Sequence, residues 1–235
     1  MKLSKPHLLL LTGAILAAVV YLSPDAVAEK AIAIPPPSAD AMQGVSTATQ
    51  PTATAVFAGG CFWGIQAVFQ HTKGVLGAVS GYAGGDQKDA QYDKVSTGDT
   101  GHAESVEVTF NPKQISYAQL LQVYFSIAHD PTQLNRQYPD VGTQYRSAVF
   151  YNDPGQQLLA QRYIAQLDAA KVFPARIVTQ LTPLKAFYAA EKYHQNYATL
   201  HPDSGYIAHF DLPKIANLKA LMPGLYRDQP VLVTP

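Results

Sequence analysis

Between Ala55 and Tyr151 the spacing of apolar residues switches between two and about 3.6 in a fixed order, and few topologies accommodate that order. Ala55-Val56-Phe57-Ala58 is a short apolar run closed by Gly59-Gly60, which predicts a buried strand ending in a tight turn. Phe62, Ile65, Val68 and Phe69 then recur at helical spacing, so a helix begins near Cys61. Val75 to Ser80 reads as a strand entering the glycine-rich Gly81-Tyr82-Ala83-Gly84-Gly85, and Val106, Val108 and Phe110 alternate with Glu107 and Thr109 as in a half-buried strand. Ser116 and Gln119 form a capping box ahead of Leu120, Leu121, Tyr124, Phe125 and Ile127, predicting a helix to about Ala128, and Ser147 to Tyr151 is the next strand. The order is βαββαβ, an α+β ferredoxin-like split βαβ sandwich with two helices on one face of an antiparallel sheet. Asp153 as N-cap with Pro154 behind it starts a helix to about Lys171, Ile177 to Leu181 follows as a strand, and Leu184 to Ala198 as an added C-terminal helix. The domain so defined spans 54–210, and the tail 211–235, with Leu212, Leu218 and Leu221, is expected to pack on it.

The residues ahead of this domain have a different character. Lys2 and Lys5 precede an apolar run from Leu8 to about Tyr21, and Ala26-Val27-Ala28 supplies small residues where a signal peptidase cuts, so 1–28 reads as a secretory signal peptide. Secretion or a periplasmic location follows, or membrane anchoring where the leader stays uncleaved. Residues 29–53 hold Pro35-Pro36-Pro37 and a Ser/Thr/Ala/Gln-rich stretch without large side chains, which predicts a disordered linker.

Charge narrows the choice of partner. Seventeen basic residues balance seventeen acidic ones, so no global field favours nucleic acid or anionic lipid. One cysteine, Cys61, permits neither an internal disulfide nor a cysteine-rich zinc site, and the seven histidines show no HExxH pair. Neither a metal nor another cofactor is expected.

Chemistry gathers in three segments. Cys61 sits where a strand turns into a helix, and the unpaired N–H groups and macrodipole there favour an anion and predict a thiol pKa well below about 8.5. Its neighbours Phe62 and Trp63 suit a small apolar pocket. Glu104, in Gly98-Asp99-Thr100-Gly101-His102-Ala103-Glu104, has the parity of Val106, Val108 and Phe110. Carrying that strand backward turns its carboxyl inward, where burial raises the pKa and suits a general acid. His102 reads as loop scaffold. The third segment, Asp140 to Arg146, and Tyr92 in Gln91-Tyr92-Asp93-Lys94 supply polar aromatics on loops.

Taken together these segments resemble the peptide methionine sulfoxide reductase A family. Gly59-Gly60-Cys61-Phe62-Trp63-Gly64 looks like its signature, Ser96 to Glu104 and Gly142 to Ser147 match further blocks, and Ala190-Glu191-Lys192-Tyr193-His194-Gln195 matches a fourth. The resemblance runs from about Thr54 to Tyr206 and implies reduction of methionine S-sulfoxide, in proteins or free. Cys61 would be the nucleophile and Glu104 the acid. Phe62 and Trp63 would hold the methyl group, Tyr92 and Tyr145 the oxygen, and Asp140 would line the site. Gln66 stands where many members carry Glu, a change expected to matter little. Many members also place a resolving cysteine after a glycine-tyrosine pair, whereas Gly205-Tyr206 is followed here by Ile207. A sulfenic acid on Cys61 would then need an external thiol: a thioredoxin-like or glutaredoxin-like protein, or a small thiol such as dithiothreitol.

Two other classes use the same residues. A cysteine hydrolase or acyltransferase needs His102 or His194 beside Cys61 as base, and a non-catalytic peptide-binding module needs only the aromatic pocket.

Overall fold

The structure, a computed structural model, describes residues 30–45 and 50–234, so the expected signal peptide lies outside the described residues. The stretch expected to be a linker is, where described, part of the folded body. Ile34 and Ala41 are buried, and a short helix α1 (Ala39–Met42), capped by the Ser38 hydroxyl, lies against the later helix at 154–169. The reason lies in the proline run. Extended proline-rich chain makes no internal hydrogen bonds, so its carbonyls are free to accept. Tyr163 donates to Pro35 O at 2.6 Å, Gln166 to Pro36 O at 3.0 Å and Gln122 to Ile34 O at 3.0 Å.

The domain then begins with β1 (Ala53–Ala58), and Gly60, at φ +97°, turns the chain into α2 (Phe62–Gln70). β2 (Val75–Ala83), a single-turn helix α3 (Tyr92–Val95) and β3 (Ala103–Phe110) follow. The Ser116 capping box starts α4 (Tyr117–Val123), which widens into a π turn at Tyr124–Ala128. A two-residue hairpin, β4 (Arg136–Gln137) with β5 (Asp140–Val141), leads to β6 (Ala148–Tyr151), and α5 (Pro154–Ala169) starts at the Asp153 cap with proline in its first turn. The strand expected at 177–181 forms as β7 (Gln180–Pro183), and short elements β8 (Phe187–Ala189) and α6 (Tyr197–Leu200) precede α7 (Leu212–Leu221).

The sheet runs β7-β6-β1-β3-β2-β8. Its four middle strands, β6-β1-β3-β2, pair antiparallel as the split arrangement requires. The outer β7 departs from that frame by pairing parallel with β6, the geometry that a strand-helix-strand crossover through α5 permits. Along β1, Ala55 and Phe57 point into the main core with α2, α4 and α5, while Val56 and Ala58 join a smaller cluster on the opposite face. β3 begins at Ala103, so Glu104 continues the row of Val106, Val108 and Phe110 on the main-core side.

The helix expected at 184–198 does not form. The chain there pairs instead with the free edge of β2, Tyr188 opposite Tyr82. Gly81 has no side chain to keep the Phe187 ring and the Tyr188 carbonyl away. Pairing an open strand edge outweighs a local helical period. At the C-terminal end a π turn at Ile207–Asp211 runs directly into α7, which lies against α2. The helical run therefore crosses the boundary drawn at 210. Beyond it, Arg227 N–H donates to His71 O at 2.8 Å and Val231 N–H to Gln70 O at 3.0 Å.

Gln66 is far from indifferent. Buried at 1% exposure, its amide donates to Ala78 O at 3.0 Å and Gln195 Oε1 at 2.8 Å, and its carbonyl accepts Asn196 N–H at 2.9 Å. These bonds tie α2 to β2 and to the loop after β8. Gln66→Leu removes the acceptor of the Asn196 N–H and a donor to Ala78 O, while Gln195 Oε1 keeps the Ser80 N–H at 3.0 Å, and each buried group left unpaired costs about 1–3 kcal/mol. A loss of about 3 kcal/mol in urea unfolding is expected, with activity per folded molecule retained.

Candidate active site

Cys61 is the N-cap of α2, with φ −56° and ψ 126°, and its side chain caps nothing. Gly60 lets the backbone pass close to Gln137, whose Cγ would lie 2.6 Å from an added Cβ. The helix start is shared with Glu104. The Phe62 N–H, one of the unpaired donors expected to favour a thiolate, donates instead to Glu104 Oε2 at 3.1 Å. The Trp63 N–H favours the anion on Cys61.

That allocation reverses the expected ionisation of the cysteine. Burial pushes the thiol well above its ordinary value, the Glu104, Asp211 and Asp140 carboxyls push the same way, and one N–H does not offset them. Glu104 is 2% exposed, and burial raises its carboxyl to about 8, against the Phe62 hydrogen bond and with help from Asp140 and Asp211. The resting site at neutral pH therefore holds a protonated acid beside a protonated thiol.

The expected substrate-binding residues converge on this pair unequally. Phe62 is 1% exposed, packed between Tyr82 and His194 with ring centroids at 5.9 and 5.0 Å, so it can serve only as a floor. Trp63 is half-buried, stacks on Tyr197 at 3.9 Å, and meets Tyr206 edge-on at 5.9 Å. The Tyr92 and Tyr145 hydroxyls are both raised, by burial first and then by the charges of Glu104, Cys61 and Asp140, which places them around the same centre. Asp140 accepts from the Tyr206 hydroxyl at 2.5 Å; burial raises its carboxyl, while Tyr206 and Lys214 work against that.

Several residues in or behind the site carried no role in the sulfoxide reading of the sequence, and His194 carried one only as a possible hydrolase base. Glu191 anchors two tyrosines, accepting Tyr92 N–H at 2.9 Å and the Tyr82 hydroxyl at 2.8 Å. Burial works against its charge, but those bonds and its own backbone N–H hold it below the ordinary carboxylate range. His194 accepts the Trp63 indole N–H at 3.3 Å and packs on the Tyr92 ring at 4.5 Å. The block at 190–195 marked both residues, but neither the Glu191 anchor nor the His194 bond to Trp63 was legible in it. Tyr206 was visible only as the residue preceding an absent cysteine, and nothing in the local sequence singled out Asp211 or Lys214. His102 is scaffold: its Nδ1 accepts Gly85 N–H at 3.2 Å and its Nε2 meets Asp86 O at 3.0 Å, so it is not a base waiting beside Cys61.

Comparison with known proteins agrees with this geometry. Residues 53–222 match the family model described as peptide methionine sulfoxide reductase. Peptide methionine sulfoxide reductase MsrA 2 of Mesorhizobium japonicum is 62% identical over 180 residues, 77% of this chain and 92% of that protein. The protein of the same name from Synechocystis is 46% identical over 79% of this chain and 86% of its own length. Among solved structures, reduced Mxr1 from Saccharomyces cerevisiae aligns with a TM-score of 0.59 at 32% identity, covering 70% of this chain and 93% of its own. Methionine sulfoxide reductase A of Corynebacterium diphtheriae aligns at 0.56 and 35% identity, covering 74% and 85%. With the family model matched over residues 53–222 and relatives this similar over most of their length, the chain belongs to the peptide methionine sulfoxide reductase family.

Proposed function

We propose that this protein reduces the S epimer of methionine sulfoxide, protein-bound or free, and so repairs oxidised proteins, with Cys61 as nucleophile and Glu104 as acid. The observation that carries this reading is the Phe62 N–H bond to Glu104, which fixes a neutral carboxyl at the helix turn bearing the thiol. A sulfoxide offers a methyl group, an electropositive sulfur and a basic oxygen. Trp63 over the Phe62 floor takes the methyl, Glu104 protonates the oxygen, and the Tyr92 and Tyr145 hydroxyls donate to it as charge develops. Asp140, held by Tyr206, lines the site beside them. The positive end of the S–O dipole against Cys61 favours loss of the thiol proton only once substrate is present.

The chemistry balances without a cofactor. The sulfoxide S–O bond breaks and an S–O bond forms on Cys61; the substrate sulfur gains two electrons and the cysteine sulfur loses two. The thiol proton finishes on the sulfenic oxygen, with Glu104 relaying it. With no other cysteine in the sequence, a first external thiol condenses with the sulfenic acid, releasing water and leaving a mixed disulfide, and a second thiol frees Cys61. A thioredoxin-like or glutaredoxin-like protein, or dithiothreitol, suits that role. The leader pattern at Lys2, Lys5 and Ala26-Val27-Ala28 supports a secreted or periplasmic setting, or membrane attachment if it stays uncleaved.

Purified protein with dithiothreitol should consume one epimer of a sulfoxide peptide and spare the other. After one turnover without reductant, mass spectrometry should find Cys61 carrying one added oxygen and no disulfide. Methionine formed with an intact thiol would overturn the reading.

A further inference from the structure

Asp211 is fully buried, and the donor within reach of its carboxylate is the Lys214 ammonium. An anion in that position is costly unless something nearby demands it. Its nearest opposite charge is Lys214, one turn on in α7, with Nζ 3.5 Å from Oδ1 and itself only 6% exposed. The pair stands against the first turn of α2. A Cβ on Gly64 would collide with Asp211 Oδ1 and come within 3.0 Å of Lys214 Nζ. Gly64 is thus the opening through which α7 brings a charge pair up to the helix start that carries Cys61. The π turn that ends at Asp211 follows Tyr206, whose hydroxyl donates to Asp140.

We propose that the Asp211–Lys214 pair is a restraint on the active-site cysteine: Lys214 keeps the buried Asp211 ionised, and that fixed negative charge adds to burial in holding Cys61 as a thiol, slow to react with alkylators and oxidants, until a sulfoxide is bound. The physical need is specific to this chain. A protein without a second cysteine has no internal means of resolving an adventitious sulfenic acid, and thiolates are what oxidants attack. Around the thiol, β3 contributes Glu104, neutral at pH 7; the β4–β5 hairpin contributes Asp140; and Tyr92, Tyr145 and Tyr206 contribute hydroxyls raised in part by the charge of Cys61. Lys214 also faces Asp140 and His129, the latter held neutral by burial. Asp211 itself is raised by burial, against Lys214, to about 6, so it carries its charge at neutral pH and above.

This deepens the reading above by concerning the same thiol, and its test needs no sulfoxide, so the two stand or fall separately. The rate of Cys61 alkylation by iodoacetamide is measured across pH in the whole protein for wild type, Asp211→Asn, Lys214→Met and the double variant. Asp211→Asn, nearly isosteric, should react about tenfold faster at pH 8, the change in thiolate fraction that goes with one pKa unit. Lys214→Met should do the same, because a buried carboxyl without its cation takes up a proton. The double variant should fall well short of the product of the two single effects, since Lys214 acts chiefly through the Asp211 charge and only secondarily through Asp140. A profile for folded Asp211→Asn that overlays wild type overturns the proposal, as does a double variant in which the two single effects multiply in full. Asp211→Asn alone decides the matter if removing the lysine unfolds the chain.

Discussion

Cys61→Ser is expected to consume no methionine sulfoxide detectably while folding at least as well as the native protein. The two halves of that expectation rest on the same backbone position. Cys61 occupies the N-cap of α2 without capping it, and serine is among the residues that fill that role best, bonding to an N–H of the first turn and stabilising by up to about 1 kcal/mol. Chemistry is lost for a separate reason: a hydroxyl is a far weaker nucleophile than a thiol, and its oxygen cannot be oxidised to the equivalent of a sulfenic acid. Because no other sulfhydryl exists in the chain, none can substitute. Thermal unfolding and an assay of sulfoxide loss with dithiothreitol check both halves. Residual turnover within a factor of ten of the native rate would remove Cys61 from the mechanism.

The contrast between thiol and acid shows what a sequence can and cannot reveal about ionisation. Glu104 was legible because strand parity is strict: the alternation of Val106, Val108 and Phe110 fixes the side on which a residue two positions earlier must lie, provided the strand reaches back that far, and it reaches to Ala103. Cys61 was legible as a helix start but not as a charge state. A helix terminus favours an anion only with donors that remain free, and here one donor belongs to a carboxyl 42 residues away in sequence. Two more carboxyls arrive from a hairpin and from the last helix. Non-local chemistry of this kind leaves no trace in the local pattern.

The same division runs through the fold. The Ser116 capping box and Pro154 behind Asp153 carry their own hydrogen bonds and dihedral preferences, so α4 and α5 start where the sequence places them. Phe187 to Ala189 carries no comparable local instruction. It becomes a strand because β2 offers an unpaired edge and a glycine, and the Pro35 segment docks because α4 and α5 present amide and hydroxyl donors to it. Elements specified by their own side chains were readable, and elements specified by a surface made elsewhere were not.

Glu104→Gln should separate the acid's two contributions, proton transfer and hydrogen bonding, and it should move stability and activity in opposite directions. In the native protein the reactive form needs Glu104 protonated, so turnover should fall as pH rises through about 8, tenfold per pH unit beyond it. Glutamine can accept the Phe62 N–H with its carbonyl and still donate from its amide to the sulfoxide oxygen, but it can neither give up a proton nor receive the one leaving the thiol. A loss of about 10–100-fold at pH 7 is expected, short of the full range for general acids, with no alkaline fall near 8. Stability carries the opposite sign. A carboxyl raised on folding binds its proton more tightly in the native state, so native stability declines as pH climbs from the ordinary 4.5 to about 8, and levels off above. Glutamine escapes that decline. Relative to the native protein, Glu104→Gln should therefore gain stability progressively between those pH values, on the order of a few kcal/mol by pH 9, read as a rising difference in unfolding midpoint. An alkaline fall that persists in the glutamine variant would assign the titration to another group, and equal stabilities at pH 5 and pH 9 would mean that burial is not what keeps this acid neutral.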